Sequence, residues 1–354
     1  MRKKFSNPKV VFPEDEGAHP TFPAEWWYGH FSLTDSKGRE YGAMVAYFTI
    51  GLKVLSISDL AAGWFHHFVS GSALHYVEKK FDLRWGRDHW FRTDDRSPFY
   101  QLDSYGGGLS LNLGIIPDKP PLLGSGKGIS KWTGGDSHYY SLTRLKVKGR
   151  IELKAEKLDV NGIGWMDHQW INSLGRGGWD WFAVQLDNNI ELVVWRIVNP
   201  DESVRSYDLT IMFSDTAVYH TRKLSLEKLD SWVSPESSKE YGVLWRVRER
   251  ARGLDLQIVW KRADSARIAY ANRRAICVGP AQPERWAHHP SRWPSPTVRR
   301  SCVLPPGTGA GARRGFYCER RSIRMARPGK GEHQIQCVRR EPGYDRQGNE
   351  GVGE

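Results

Sequence analysis

Short apolar runs that alternate with polar residues dominate the first 260 positions of the chain. The runs at 22–31 and 40–50 are separated by turn-forming residues at 34–38, which predicts a β-hairpin. Similar runs follow at 81–85, 99–102, 109–113, 139–147, 150–155, 158–160, 181–186, 190–198, 206–213, 224–226 and 254–260. A single helix is predicted near 59–74. So many short strands favour antiparallel β-barrels or sandwiches over a parallel α/β sheet.

The same pattern divides the chain into four segments. Residues 1–20 are polar and contain prolines, which predicts an extended lead-in. Two β-domains follow, at 21–186 and 187–261, and the second is predicted to be incomplete. In residues 262–354 Arg replaces Lys, Pro, Gly and Cys become frequent, and the alternation stops. Two interpretations stay open: a disordered basic tail that binds an acidic partner, or out-of-frame translation of a GC-rich gene. The composition favours the second.

Composition changes this picture mainly by removing function classes. The net charge is +12, but residues 262–354 carry 17 Arg and 1 Lys against 8 acids, so the preceding part is nearly neutral. A nucleic-acid partner is therefore not expected. All four cysteines lie in the tail, at spacings that match no zinc motif. The chain shows neither a signal-peptide pattern nor an apolar run of about 18 residues. We expect a cytoplasmic protein, with peripheral membrane contact as a further hypothesis.

The most unusual chemistry lies in the segment at 162–182, which reads GIGWMDHQWINSLGRGGWDWF. On a strand, Trp165, Asp167 and Gln169 would share one face, and His168 and its even-numbered neighbours the other. Proton-transferring groups are thus interleaved with large flat rings. This combination is typical of the wall of an aromatic pocket with a few ionisable groups.

Several motifs together carry a family resemblance. They are FPEDEGAHPTFPAEWWYGHF at 12–31, HYYSLTRL at 138–145, and GIGWMDHQW and GWDWFAVQL in the central segment. Over roughly residues 12–260 the chain resembles the carotenoid 1,2-hydratase (hydroxyneurosporene synthase) family, also described as AttH-like. The resemblance implies two tandem lipocalin-like β-barrel domains and a pocket for long apolar molecules. Family members usually end in a Tyr-Trp-Glu-Gly strand. This strand is missing here, and its absence supports the frame-shift interpretation.

For such a hydratase, the residues suggest a mechanism in which an acid protonates an alkene and water captures the carbocation. A carboxyl group in a dry site has a raised pKa, and aromatic faces stabilise a nearby cation. Asp167 is the first candidate proton donor, Asp180 is the second, and Glu25 is a further catalytic candidate. His168 would orient the acid or position water. The predicted substrate-binding side chains are Trp26, Trp27, Tyr28, Tyr140, Arg144, Trp165, Trp170 and Trp181, of which Tyr140 and Arg144 rest on the resemblance alone.

Each assignment has a structural alternative. The three carboxylates could instead accept hydrogen bonds or pair with Arg, and at most one of the adjacent Trp26 and Trp27 is expected to line the pocket. The predicted partner is an apolar polyene or isoprenoid. Neither a cofactor nor a metal is predicted, because the His66–His67 pair lacks further ligands at a telling spacing. Two other functions remain open: a non-catalytic carrier of an apolar ligand, and a pocket that templates polyene cyclisation.

Overall fold

The computed structural model describes residues 10–93, 99–233, 238 and 240–259. It also describes the main chain of four short strands further on, Ile268–Ala271, Ala275–Val278, Arg324–Ala326 and Gln334–Gln336. Cys302, Cys318, Cys337 and most of the predicted tail lie outside these residues. No helix in the described part of the chain is both long enough and apolar enough to cross a membrane. The helical elements of the described residues are two single turns, Glu14–Glu16 and Gly124–Gly126.

Thirteen described strands form the first sheet, and all its pairings are antiparallel. The spatial order is β4-β3-β2-β1-β13-β12-β9-β8-β7-β6-β5, and β10 and β11 both pair with β12. The strands are β1 (Ala24–Asp35), β2 (Glu40–Phe48), β3 (Leu52–Asp59), β4 (Trp64–Gly71), β5 (His75–Tyr76), β6 (Asp82–Trp85), β7 (Asp88–Arg92), β8 (Tyr100–Gly106), β9 (Leu109–Pro117), β10 (Leu122–Leu123), β11 (Ile129–Trp132), β12 (Gly135–Leu153) and β13 (Glu156–Ile171).

The second half of the chain forms two smaller antiparallel sheets packed on a core of their own. One has the order β17-β16-β15-β14-β22-β21 and the other the order β18-β19-β20. Their shared core contains Phe182 and Leu192 from one sheet and Trp245 and Leu256 from the other. The strands are β14 (Gly178–Gln185), β15 (Glu191–Val198), β16 (Val204–Met212), β17 (Val218–Thr221), β18 (Ser225–Val233), β19 (Glu240–Glu249), β20 (Leu254–Val259), β21 (Ile268–Ala271) and β22 (Ala275–Val278), with β23 (Arg324–Ala326) and β24 (Gln334–Gln336) as a separate pair.

Strand β13 shows how the two halves meet. From Lys157 to Asn161 it alternates between exposed and buried residues, as a strand with one wet face does. From Gly164 to Ile171 every residue is buried, because the second half of the chain covers the outer face there. Gly162 lets this strand approach β1 closely, since an added Cβ would lie 1.9 Å from the Ser32 carbonyl oxygen. The covered stretch coincides with the aromatic central motif.

The predicted fold class is confirmed: the chain is nearly all β, with curled antiparallel sheets of the lipocalin-like kind. The hairpin formed by β1 and β2 is also confirmed. The predicted helix near 59–74 is wrong, because β4 (Trp64–Gly71) occupies it and pairs with β3. The first sheet ends at Ile171, and the next strand, β14, begins at Gly178 and pairs with β15 of the second half. The chain therefore passes from one sheet to the other before the predicted domain boundary at 186.

Candidate active site

The central motif sends its side chains to two separate buried places. Alternation along β13 puts Met166, His168 and Trp170 inside the first barrel, where all three are buried. Trp165 and Asp167 point to the opposite face, into the layer between the two halves of the chain. The alternation predicted from the sequence is therefore confirmed, and it creates two clusters back to back.

The first cluster, here called the Asp167 cluster, consists of Asp167, Tyr139, Ser141, Trp165, Tyr28 and Trp181. Asp167 Oδ1 accepts hydrogen bonds from Ser141 Oγ at 2.6 Å, Tyr139 Oη at 2.7 Å and Trp165 Nε1 at 2.7 Å. Trp181 Nε1 donates to Tyr139 Oη at 3.3 Å. The Tyr28 ring packs edge-on against Trp181, with centroids 5.7 Å apart. Strands β1, β12, β13 and β14 thus converge on one carboxyl group.

Burial controls the acidity of this carboxyl. Desolvation raises the pKa of Asp167 to about 7, although the bonds from Ser141, Tyr139 and Trp165 oppose the shift. The Tyr139 hydroxyl keeps its proton, because burial and the nearby Asp167 raise its pKa well above 10. A buried carboxyl with a pKa near neutrality can serve as a general acid at physiological pH.

Several polar atoms in the layer between the halves have no hydrogen-bond partner in the described part of the chain. These atoms are the Tyr28 hydroxyl, both ring nitrogens of His30, Thr143 Oγ1, Gln185 Oε1 and Trp195 Nε1. Burial lowers the pKa of His30 to about 3, so its ring is neutral. Buried polar groups normally find a partner. A concentration of unpartnered polar atoms indicates a place where water or a ligand completes the hydrogen bonding.

The second cluster depends on the segment that precedes β1. Its helical turn Glu14–Glu16 is held by the Glu16 carboxylate, which accepts bonds from Arg92 Nη1 at 2.5 Å and from the Tyr100 hydroxyl. The Glu16 carbonyl accepts a bond from Trp27 Nε1 at 3.3 Å. At Gly17 an added Cβ would lie only 2.3 Å from the Lys79 nitrogen. In its described part the predicted lead-in is therefore packed against the barrel rather than extended.

This second cluster, here called the histidine cluster, consists of Asp15, His19, Glu25 and His168. Glu25 Oε1 lies 2.7 Å from His19 Nδ1 and 2.7 Å from His168 Nε2. Glu25 Oε2 accepts the main-chain N–H of His19 at 2.7 Å. His19 Nε2 lies 3.1 Å from Asp15 Oδ1. Glu25 and His168 are almost fully buried, while the His19 side chain is 18% exposed.

Aromatic rings fix the orientation of both imidazoles. His19 stacks on Trp170 with centroids 3.9 Å apart, and His168 stacks on Trp27 at 4.5 Å. The Tyr140 ring meets His168 edge-on at 5.3 Å. These contacts leave each imidazole a single orientation, with one nitrogen directed at Glu25.

The protonation pattern follows from the same contacts. Burial raises the pKa of Glu25, but the bonds from His168 and His19 outweigh it and the net shift is downward. Burial lowers the pKa of His19, yet its bonds to Asp15 and Glu25 raise it to about 9. Burial dominates at His168 and lowers its pKa. Glu25 is therefore ionised, His19 is protonated and His168 is neutral near pH 7.

The structure separates residues for which the sequence pattern predicts a common site. His168 does not orient Asp167, because it faces the barrel interior and bonds to Glu25. Glu25 and Asp167 lie on opposite faces of the first sheet, so they do not share one pocket. Trp27 packs in the barrel core, whereas Trp26 packs in the layer between the halves, so the prediction that they diverge is confirmed.

The remaining predicted residues divide between the two clusters and two ion pairs. Tyr140 and Trp170 lie with the histidine cluster, and Trp165, Tyr28 and Trp181 belong to the Asp167 cluster. Asp180 accepts a bond from Arg196 Nε at 2.5 Å, and burial raises its pKa.

Arg144 does not reach either cluster. It binds the buried Glu191 and donates to the Leu186 carbonyl at 3.0 Å, while Lys119 Nζ binds Glu191 Oε2 at 2.5 Å. Arg144 thereby ties the two halves together. The resemblance implied a place near the pocket, whereas Arg144 pairs with Glu191 at the junction of the two halves.

Four residues with a clear part in these clusters were not singled out from the sequence. His19 and Asp15 lie within the quoted 12–31 motif, and Tyr139 and Ser141 flank the predicted Tyr140. Period-two alternation along β12 could have indicated Tyr139, because its register partner is Gln169, which shares a face with Asp167. An open groove of about 540 Å³ lies elsewhere, lined by residues including Asn112, Arg150 and Asp159, and it shares no residue with either cluster.

Comparison with known proteins gives the family. A crystal structure of an AttH from Nitrosomonas europaea is similar, with a TM-score of 0.66 at 21% identity over 77% of this chain and 95% of the other. Kievitone hydratase from Nectria haematococca follows, with a TM-score of 0.64 at 15% identity over 78% of this chain and 92% of the other. No curated protein matches. The AttH-like family model matches residues 3–267, and the chain therefore belongs to the AttH-like family.

Proposed function

We propose that this chain is a hydratase-type enzyme, a hydro-lyase that adds water to a carbon–carbon double bond of an apolar isoprenoid or polyene, with Asp167 as the proton donor. The observation that carries the proposal is the buried Asp167 carboxyl, whose pKa of about 7 leaves a large protonated fraction at neutral pH. Isolated alkenes are very weak bases, so the reaction needs an acid of this kind beside the double bond.

The surrounding side chains suit the charged intermediate. Transfer of the Asp167 proton to one alkene carbon forms a C–H bond and leaves a carbocation on the other carbon. Water then adds to that carbon, and the proton it loses restores the Asp167 acid. The Trp165 indole N–H donates to the carboxyl, and the Trp181 ring lies edge-on to Trp165 with centroids 6.4 Å apart. A desolvated aromatic face stabilises a cation by about 2 kcal/mol. These residues supply both the acid and the cation stabilisation.

The Tyr28 hydroxyl is the group best suited to hold the attacking water. It is buried near Asp167, which raises its pKa further above 10, and the described residues offer it no partner. Its position on the Asp167 side of β1 allows it to hold a water on the carbon next to the protonation site. The hydratase activity named for the Nectria haematococca protein agrees with this proposal. A carotenoid is the substrate that we propose first, collected by peripheral contact with a membrane surface.

The test is direct. The full chain is incubated with an acyclic carotene in detergent, and the products are analysed by mass spectrometry for the gain of one water. We expect product with the wild type and a loss of at least about 100-fold with Asp167→Asn, the range that general acid catalysis contributes. Asp180→Asn serves as the matched control, because that carboxyl is engaged by Arg196. Equal loss in both variants, or none in Asp167→Asn, would contradict the assignment.

One observation favours a second function, a non-catalytic carrier of an apolar ligand. Asp167 Oδ1 already accepts three hydrogen bonds, from strands β12 and β13, which is also the pattern of a structural acceptor. A carrier would bind the polyene with the same affinity in wild type and Asp167→Asn, and it would release it unchanged. Fluorescence quenching of the interlayer tryptophans measures this binding independently of turnover.

A further inference from the structure

The histidine cluster is independent of the proposed reaction, because it lies on the opposite face of the sheet from Asp167. We infer that His19, Glu25 and His168 form a binding site for a divalent transition metal ion of the zinc type. Their potential ligand atoms all lie within 4.8 Å of one another. Two imidazoles and one carboxylate are a common ligand set for Zn²⁺, and with open positions also for Fe²⁺.

The ligand atoms converge from three directions. His19 comes from the segment before β1, Glu25 from the start of β1 and His168 from β13. His19 Nδ1 and His168 Nε2 both point at Glu25 Oε1, each 2.7 Å away. Ligands on a tetrahedral ion with bonds of about 2.0–2.1 Å are separated by roughly 3.3 Å. Metal binding therefore requires each nitrogen to move back from Glu25 Oε1 by about 0.6 Å, with the two nitrogens, which lie within 4.8 Å of each other, ending at that same spacing of roughly 3.3 Å.

The groups behind the ligands are those that metal-binding histidines use. His19 turns its second nitrogen, Nε2, to the Asp15 carboxylate at 3.1 Å, the carboxylate–histidine–metal arrangement. On the other imidazole, His168 Nδ1 is buried and has no hydrogen-bond partner among the described residues. Asp15 therefore supports the His19 imidazole through its side chain.

Packing and charge in the histidine cluster both favour a divalent metal ion. Stacking on Trp170 and Trp27 holds both imidazoles in place before any ion arrives, which reduces the ordering cost of binding. Asp15 and Glu25 together supply two negative charges. The ion would displace the proton that His19 carries, and a divalent cation held by two neutral imidazoles would then balance both carboxylates. Three protein ligands leave the fourth position to water, as in zinc sites that remain open.

The experiment measures metal in the full chain. Purified wild type, stripped with a chelator, is titrated with Zn²⁺, and bound metal is counted by mass spectrometry of the elements after dialysis. Co²⁺ serves as a second probe, because its visible absorption reports nitrogen and oxygen coordination. Cys and His residues of the tail can also bind metal. The decisive quantity is therefore the difference in bound metal between wild type and each variant.

We expect His19→Gln to bind one ion fewer per chain than wild type, and Asp15→Asn to keep the site with about 10–100-fold weaker affinity. His66→Gln is the matched control, because His66 lies on β4 and bonds to the Gly107 carbonyl at 3.0 Å. It should keep the full count, as should Asp167→Asn, whatever that variant does to hydration. His19 is partly exposed, so its loss should leave the circular dichroism spectrum unchanged.

The opposite results are equally clear. Equal metal content in folded His19→Gln and wild type, or a Co²⁺ spectrum that His19→Gln does not alter, overturns the inference. The cluster would then be a hydrogen-bonded network whose only role is to hold the 10–22 segment on the barrel. Because the hydration assay and the metal count depend on different residues, failure of one leaves the other interpretable.

Discussion

Asp167 and His168 are consecutive in the chain, yet their side chains occupy opposite faces of the first sheet and belong to different clusters. Asp167 accepts bonds from Tyr139, Ser141 and Trp165 in the layer between the halves. His168 bonds to Glu25 inside the barrel. One strand thus supplies an acid to one site and an imidazole to another. The two sites can be tested separately by neighbouring substitutions.

The buried acid should make stability depend on pH in a recognisable direction. The Asp167 pKa is about 7 in the folded chain against a usual value of 3.8, so the folded state binds more protons between these values. Its contribution to stability therefore falls as pH rises from about 4 to 7 and stays constant above that, with a total change of about 4 kcal/mol. Asp167→Asn mimics the protonated acid and should lack this loss.

Urea denaturation of wild type and Asp167→Asn at several pH values between 4 and 8 measures the effect. The free energy of unfolding of the variant, relative to wild type, should rise between about pH 4 and 7 and then level off. All other titrating groups are shared, so they cancel in the difference. Parallel curves for the two proteins would mean that Asp167 ionises as easily in the folded chain as in the unfolded one.

Two tyrosines of the Asp167 cluster should respond differently to loss of the hydroxyl. Tyr139→Phe removes the donor to Asp167 and the acceptor of Trp181, and should cost about 1–3 kcal/mol of unfolding free energy. Tyr28→Phe removes a buried hydroxyl that has no partner among the described residues, so stability should stay equal or increase. If Tyr28 holds the attacking water, its variant should still lose hydration activity. Thermal denaturation and the carotene assay, run side by side, check this contrast.

The link between the halves through Glu191 should contribute strongly to stability. Glu191 is fully buried between Lys119 and Arg144, so Glu191→Gln leaves two cations without a carboxylate and should cost about 3–5 kcal/mol. Lys146→Ala is the control, because its pair with Asp118 is exposed, at 66% and 38%, and should contribute about 0–1 kcal/mol. Urea denaturation compares them. Similar losses would show that burial does not set the strength of these pairs.

Close packing at Gly17 should couple the 10–22 segment to the histidine cluster. Gly17→Ala would place a Cβ 2.3 Å from the Lys79 nitrogen and 2.4 Å from the Lys80 nitrogen, and such overpacking costs about 1–3 kcal/mol. We expect lower stability together with weaker Zn²⁺ binding. Gly71→Ala is the control, since its Cβ would meet the Gly51 oxygen at an ordinary 3.8 Å. Zinc affinity that is unchanged in a folded Gly17→Ala protein would show that the segment can shift without moving His19.

The sequence predicts the fold class and the two-faced central strand well, because both depend on local period-two alternation. It fails at 59–74, where the predicted helix is strand β4. The side chains of β4 are half-buried rather than alternating cleanly, so the pattern lacked a strand signal. The predicted strands at 139–147 and 150–155 belong to one strand, β12, because Gly149 continues the ladder against Leu113 and Val160 instead of ending it.

The candidate sites were predicted only in part, for a different reason. Alternation tells which neighbours share a face, but not which distant residue meets that face. Glu25 and His168 are 143 positions apart and their contact depends on the register of β1 against β13. His19 reaches them from an irregular segment that has no periodicity to read. Long-range pairing of this kind is decided by packing, which a single sequence does not encode position by position.

The placement of Asp15 and His19 has a practical consequence for anyone who expresses this protein. Both precede the first strand, so an artificial start at residue 20 would retain every strand of the first sheet and still remove half of the histidine cluster. Such a shortened protein could pass spectroscopic checks of folding while Glu25 and His168 faced each other alone. Protein prepared for metal or ligand studies should therefore keep the segment that contains Asp15 and His19. Any fusion tag should be attached well away from residue 10.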